Sequence, residues 1–192
     1  MKLGLLLAAF LSTATVSQAA TLLFGGALSG AAESPPNGSP GTGTFLITID
    51  DIAMTMIVHA EFSGLLGTVT VAHIHSGTVV PFAGTAGVAT PVPTFPGFPV
   101  GVTAGAYDAP FDMTLASSWN PAFITANGGT PVSAFAAFMG AATTGRAYLN
   151  IHSSAFTGGE IRGFLVPVPE PAGAGLAGLA LTGLALVRRR RI

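Results

Sequence analysis

Apolar and polar residues alternate with a period of two along several stretches of this chain, the spacing of strands with one buried face. In Thr44 to Asp50 the apolar set is Phe45, Ile47 and Ile49. In Ala53 to Phe62 it is Met54, Met56, Val58, Ala60 and Phe62, with Thr55, His59 and Glu61 turned outward. Thr68 to His75 (TVTVAHIH) continues the pattern, and Thr21 to Leu28 and Tyr107 to Leu115 are further strand candidates. The last alternation is the richest. Leu149 and Ile151 alternate with Tyr148, Asn150 and His152, and Ile161 and Leu165 alternate with Glu160, Arg162 and Phe164. Ser153 to Gly159, ending in Gly158-Gly159, supplies the turn between them. This stretch predicts a β-hairpin with Leu149, Ile151, Ile161 and Leu165 on the core face. Its simplest register sets His152 opposite Glu160 and Asn150 opposite Arg162.

Between the strands the chain breaks where turn chemistry concentrates. Ser29 to Gly43 contains Pro35-Pro36 and Asn37-Gly38, Asp50-Asp51 makes a turn, and Ser76 to Ala106 is a long Gly-, Pro- and Thr-rich loop. Pro within that loop cannot donate to a ladder, so it predicts edge strands at most. The period changes near Trp119. Pro121 and Pro131 each follow a plausible N-cap, and Val132, Phe135, Ala136 and Met139 fall at helical spacing. The expected fold is therefore all-β: an antiparallel immunoglobulin-like sandwich or barrel, with one or two short helices before the last hairpin.

Composition sharpens this reading. Charged residues are only 8% of the 192, with 26 Gly and 14 Pro, as short strands and many turns require. The absence of cysteine excludes disulfides, thiolate metal sites and lipoprotein acylation. From Thr21 to Pro169, Arg146 and Arg162 stand against seven carboxylates, a net −5. Such a body is a poor partner for nucleic acid, because neutralising phosphates needs Lys and Arg.

The positive charge sits instead at the ends. Lys2, the apolar run Leu3 to Leu11 and the small-x-small site Ser17-Gln18-Ala19 make residues 1–19 a secretory signal peptide, cut by signal peptidase after Ala19. At the other end Ala172 to Val187 is free of charge and precedes Arg188, Arg189, Arg190 and Arg191. As a helix it spans about 24 Å, short for a hydrocarbon core of about 30 Å, with the arginines on the cytoplasmic side. The order Pro169-Glu170-Pro171, apolar helix, basic tail resembles the PEP-CTERM sorting signal, which assigns residues 168–192. The resemblance implies transient inner-membrane anchoring, an exosortase as partner, and release to the cell surface or the exopolysaccharide matrix.

The body, residues 20–167, resembles the CHRD (chordin-type) domain. The resemblance rests on Leu28-Ser29-Gly30-Ala31-Ala32-Glu33-Ser34-Pro35-Pro36, Gly43 to Asp50, and Val71-Ala72-His73-Ile74-His75-Ser76-Gly77. Its most specific part is Tyr148 to Ser153 with Gly158 to Gly163. It implies an extracellular all-β module. The chain departs from the pattern in a long helical insert, Trp119 to Ala142, and in Ala155-Phe156-Thr157, where a proline is more usual.

Candidate chemistry is confined to a few side chains. His73 and His75 point to one side of a strand, about 7 Å apart, and with His152 they are candidates for a zinc or copper site. The plainer reading makes the same imidazoles structural hydrogen-bonding groups. Asn150, Glu160 and Arg162 are expected to lock the hairpin, with Arg162 reaching Glu160, Asn150 or a nearby carbonyl. Trp119, Tyr107, Phe95 and Phe98 are candidates for a carbohydrate-stacking surface. No G-x-S-x-G and no phosphate loop followed by Lys occurs. The reading is an exported, non-enzymatic module with a binding or structural role and no cofactor, its partners an extracellular polysaccharide or surface protein. A metal-binding or redox protein is the first alternative and a carbohydrate binder the second.

Overall fold

The computed structural model describes residues 21–169. The signal peptide, the arginine tail and the expected C-terminal apolar helix lie outside the described residues. Among those described, no helix is long and apolar enough to cross a membrane. The described residues form eight strands in chain order: β1 (Thr21–Ser29), β2 (Thr42–Asp50), β3 (Thr55–Ser63), β4 (Val69–Ser76), β5 (Gly105–Asp112), β6 (Ala147–Ser153), β7 (Ile161–Phe164) and β8 (Val166–Val168). Two helices, α1 (Pro121–Ala126) and α2 (Pro131–Thr143), precede the last hairpin as expected.

All the strand pairs are antiparallel, and the strands join in one sheet of order β4-β6-β7-β1-β2-β3-β5, with β8 alongside β1. Of the two architectures expected, the sheet follows the barrel part of the way: it is continuous and curls into a half-barrel. Alternation dictates which residues line the concave side. Phe45, Ile47, Ile49, Met56, Val58 and Ala60 are buried there with Ala72, Ile74, Leu149, Ile151, Ile161 and Leu165. The Asp50 turn forms because its carboxylate accepts from the amides of Ile52 and Ala53. Close approach matters where β7 meets β1: a Cβ on Gly163 would sit 2.2 Å from the Ala27 carbonyl oxygen, so only glycine lets the two backbones meet.

Both helices start as their sequences predict. Asn120 caps α1 through the Ala122 amide, and Thr130 and Ser133 form a reciprocal capping box on α2, each with Pro in the first turn. The buried stripe of α2 differs from the expected one. Ala134, Phe135, Phe138, Ala141 and Ala142 face the core, while Val132 is exposed. Phe138 packs edge-on against Trp119, so a residue distant in sequence selects the face.

Four aromatic expectations are overturned here. Trp119, Tyr107, Phe95 and Phe98 are all core residues, and Phe95, Phe98 and Tyr107 pack on one another with centroids 4.9–6.4 Å apart. The long loop does not stay at the surface. It runs along the outer edge of β4, where Ala89 donates to the Ile74 carbonyl and Phe95 to that of Ala72, and it sends its aromatics inward. Aromatic side chains buried in a core offer no face for a sugar to stack on.

Because Ile151 is fully buried in the middle of this core, Ile151→Asp is expected to cost more than about 4 kcal/mol. Urea denaturation followed by circular dichroism checks this: a cooperative fold of near-native stability would contradict the face assignment.

Candidate metal centre

Pairing of β4 with β6 aligns His73 with Asn150, His75 with Tyr148 and Val71 with His152. Pairing of β6 with β7 aligns Asn150 with Arg162 and Tyr148 with Phe164. The Asn150–Arg162 register is thus as the sequence predicts. The convex side of these three strands carries His73, His75, His152, Asn150, Tyr148 and Arg162 together. It is not solvated. The loop after β4 and the segment after β1 fold across it, leaving Tyr148, Asn150 and Arg162 buried. A strand covered on both sides still alternates when one cover is polar, which is why the sequence pattern read as half-exposed.

The three histidines converge. His73 and His75 have ring centroids 5.7 Å apart, His73 and His152 5.3 Å, and His75 and His152 6.0 Å. One ring nitrogen from each lies within 4.8 Å of the other two. The other ring nitrogen of each meets a main-chain carbonyl: His73 Nε2 with Pro93 at 2.6 Å, His75 Nδ1 with Ala86 at 2.9 Å, and His152 Nδ1 with Thr157 at 2.9 Å. A carbonyl only accepts, so each of these nitrogens carries the proton. The remaining nitrogens, His73 Nδ1, His75 Nε2 and His152 Nε2, therefore hold lone pairs. All three are buried and have no hydrogen-bond partner. They cannot satisfy one another, because three acceptors share no proton. Imidazoles oriented by second-sphere carbonyls around a common point are the arrangement of metal ligands.

Burial holds these rings neutral. Desolvation lowers the pKa of His73 and of His152 against the opposing pull of their carbonyls, and pushes His75 from the ordinary 6.5 down to about 4. A neutral imidazole is the form that binds a metal.

Beside the triad lies a second polar group. Arg162 is buried, its Nε donating to the Ala32 carbonyl and its Nη1 to that of Gly84. Its guanidinium lies 4.7 Å from the Tyr148 ring centroid, and that ring stacks on His75 at 4.8 Å. Glu33 reaches Arg162 at only 3.8 Å, since Nε is already committed to Ala32. Desolvation therefore outweighs the guanidinium and pushes the Glu33 carboxyl up to about 7. Glu33 Oε1 and Asn150 Oδ1 are both buried without partners and both border the space beside Gly159. Protonation of Glu33 converts one of these two acceptors into a donor.

Two expectations about the hairpin are corrected here. Of the partners expected for Arg162, the structure gives main-chain carbonyls, those of Ala32 and Gly84, and it sets Glu33 rather than Glu160 beside the guanidinium. Glu160 does not face His152. Its carboxylate accepts from Ser39 Oγ and from the amides of Leu66 and Gly67, pinning the turn between β3 and β4. Burial pushes its pKa upward, but the hydrogen bonds from Ser153, Ser39 and those two amides outweigh that and hold it below its ordinary value. The cause of both departures is the segment after β1, which inserts Glu33, Asn37 and Ser39 next to the hairpin. Asn37 Nδ2 donates to the carbonyls of Gly159 and Glu160. Sequence reasoning passed over Glu33 as a site residue although it stands in the AAESPP stretch; a lone carboxylate in a Pro-rich turn is the one signal that pointed to it.

A family model for the CHRD domain matches residues 24–165. The chain belongs to the CHRD-domain family, whose members are secreted or extracellular β-rich modules. No curated protein and no solved structure matches it.

The buried groups predict opposite pH dependences for the metal-free protein. His75 has a folded pKa below its unfolded one, so the unfolded chain binds its proton first. Stability is lost as pH falls from 6.5 to about 4, on the order of 3 kcal/mol from His75 alone. Glu33 has a folded pKa above its unfolded one, so its contribution is lost as pH rises from 4.5 to about 7. Glu33→Gln removes only the second effect. Its urea midpoint is expected to climb more steeply with pH across that window than the parent's; equal slopes would contradict the burial of an ionisable Glu33. Glu160→Gln, in contrast, is expected to leave the His152 titration unmoved when followed by NMR.

Proposed function

We propose that this chain is an exported CHRD module that binds one transition-metal ion through His73, His75 and His152. The observation that carries the reading is the convergence of three buried, unpartnered imidazole nitrogens, each on a ring held by a main-chain carbonyl. Imidazole donors suit zinc and copper. Described residues supply three protein ligands and no thiolate. The role is binding rather than catalysis: no nucleophile–base pair of described side chains accompanies the triad, and Glu160 is committed to a structural turn.

The terminal segments support delivery outside the cell. Residues 1–19 direct export, and residues 168–192 carry the Pro169-Glu170-Pro171 motif, apolar run and Arg188–Arg191 tail of a PEP-CTERM signal. In this reading an exosortase processes the tail, and the folded body is held at the surface or within exopolysaccharide as a metal-binding module. Among the described residues the last one paired in the sheet is Val168, directly before Pro169 of the motif.

Metal analysis of the purified chain by mass spectrometry is expected to show one equivalent of zinc or copper, or uptake of one on reconstitution. At a free metal concentration a hundredfold above Kd, binding stabilises the fold by about 2.7 kcal/mol, or roughly 5–10 °C in Tm. His152→Ala is expected to abolish both uptake and shift. A folded protein that takes up no ion and shows no shift with zinc or copper would sink the reading.

A further inference from the structure

We infer that the triad is built for a monovalent ion, and holds copper as copper(I) in three-coordinate form in preference to zinc(II) or copper(II). This rests on the metal-binding reading above. It follows from three features of the same group of side chains.

The first is charge. Every donor is a neutral imidazole, and no described carboxylate joins the group. The nearest charged groups are unfavourable to a dication. Arg162 presents its guanidinium through the stacked Tyr148 ring to His75. Glu33, the acid beside it among the described residues, is 3.8 Å from that guanidinium. A divalent ion would bring its full charge into this layer with no carboxylate among its ligands. Desolvation scales with the square of the charge, so the penalty for a monocation is roughly a quarter of that for a dication of similar size.

The second feature is coordination number. Zinc(II) takes four ligands in a tetrahedron, and copper(II) prefers a tetragonal set. The triad offers three. Two ligands come from positions two apart on β4 and the third from β6, so they approach from one sheet. Above the sheet the chain places Pro93, Ala86 and Thr157, whose carbonyls are engaged by the ring N–H groups. All three free nitrogens are closed to solvent. Copper(I) has a filled d shell and accepts three nitrogen donors without a fourth.

The third feature is rigidity. Each ring is fixed by a hydrogen bond and by its neighbours, His75 lying parallel to Tyr148 within 3°. An ion that demands expansion to four or five ligands would have to displace the loop that covers β4. That loop is tied to the strand by the Ala89, Phe95 and Gly101 amides.

The test is a set of anaerobic titrations of the full chain. Copper(I) is presented in competition with bicinchoninate, and zinc(II) and copper(II) each with a chromophoric chelator of known affinity. One equivalent of copper(I) is expected to bind at least about 100-fold more tightly than zinc(II). X-ray absorption of the copper(I) form is expected to show three nitrogen ligands and no sulfur, a readout that needs no variant. His73→Ala and His152→Ala are expected to lose copper(I) retention; circular dichroism establishes that each still folds. Zinc(II) or copper(II) binding as tightly as copper(I), or a four-coordinate copper(I) spectrum, would overturn this inference while leaving the metal site standing. Failure of all three ions to bind a folded chain would overturn both.

Discussion

The pairing of β4 with β6 is the constraint on which the rest of this structure depends. It sets Ala72 and Ile74 beside Leu149 and Ile151 on the concave side, where they form the centre of the core. In the same register it brings His73 and His75 alongside Asn150 and His152 on the convex side. A slip by one residue would exchange the two faces, burying imidazoles in the core and exposing isoleucines. The core and the convergence of the histidines are thus decided by the same hydrogen-bond ladder.

A sheet so paired has a polar convex face, and two loops cover it. The loop after β4 binds the strand edge with its amides, inserts Phe95 and Phe98 into the core, and turns the carbonyls of Ala86 and Pro93 towards the histidines. The segment after β1 supplies Glu33, Asn37 and Ser39. The covering explains why buried polar atoms without partners gather here. Five of the six such atoms belong to His73, His75, His152, Glu33 and Asn150. Buried polar groups are normally satisfied, so their concentration in one layer marks a place shaped for something other than packing. Glu160 shows the contrast. It is as deeply buried, yet it is fully engaged by a hydroxyl and two amides, as a structural carboxylate should be.

Membership of the CHRD family fits this division of labour. The residues that carried the resemblance fall on β2, on β4, on the segment after β1 and on the last hairpin, the elements that build the core and the polar layer above it. In the helical insert α2 packs through Phe135 and Phe138 into the core.

Local pattern alone was enough to place β1 to β7, the inward residues of β2 and β3, the two helix starts and the Asn150–Arg162 register, but not β8, whose pairing with β1 is long-range. Each depends on periodicity or on capping, which are properties of neighbouring residues. It was also enough to single out His73 and His75, because positions two apart on a strand share a face. Tertiary structure decided what those faces meet. That the hairpin's outer face is covered, that Arg162 turns to Glu33 and Glu160 to the Leu66 and Gly67 amides, and that Trp119 and Phe98 lie inside all follow from long-range contacts. Loops of Gly, Pro and Thr carry no periodicity to announce where they will fold back. Their carbonyls select the protonated nitrogen of each ring, and so turn three histidines on two strands into one convergent set of lone pairs.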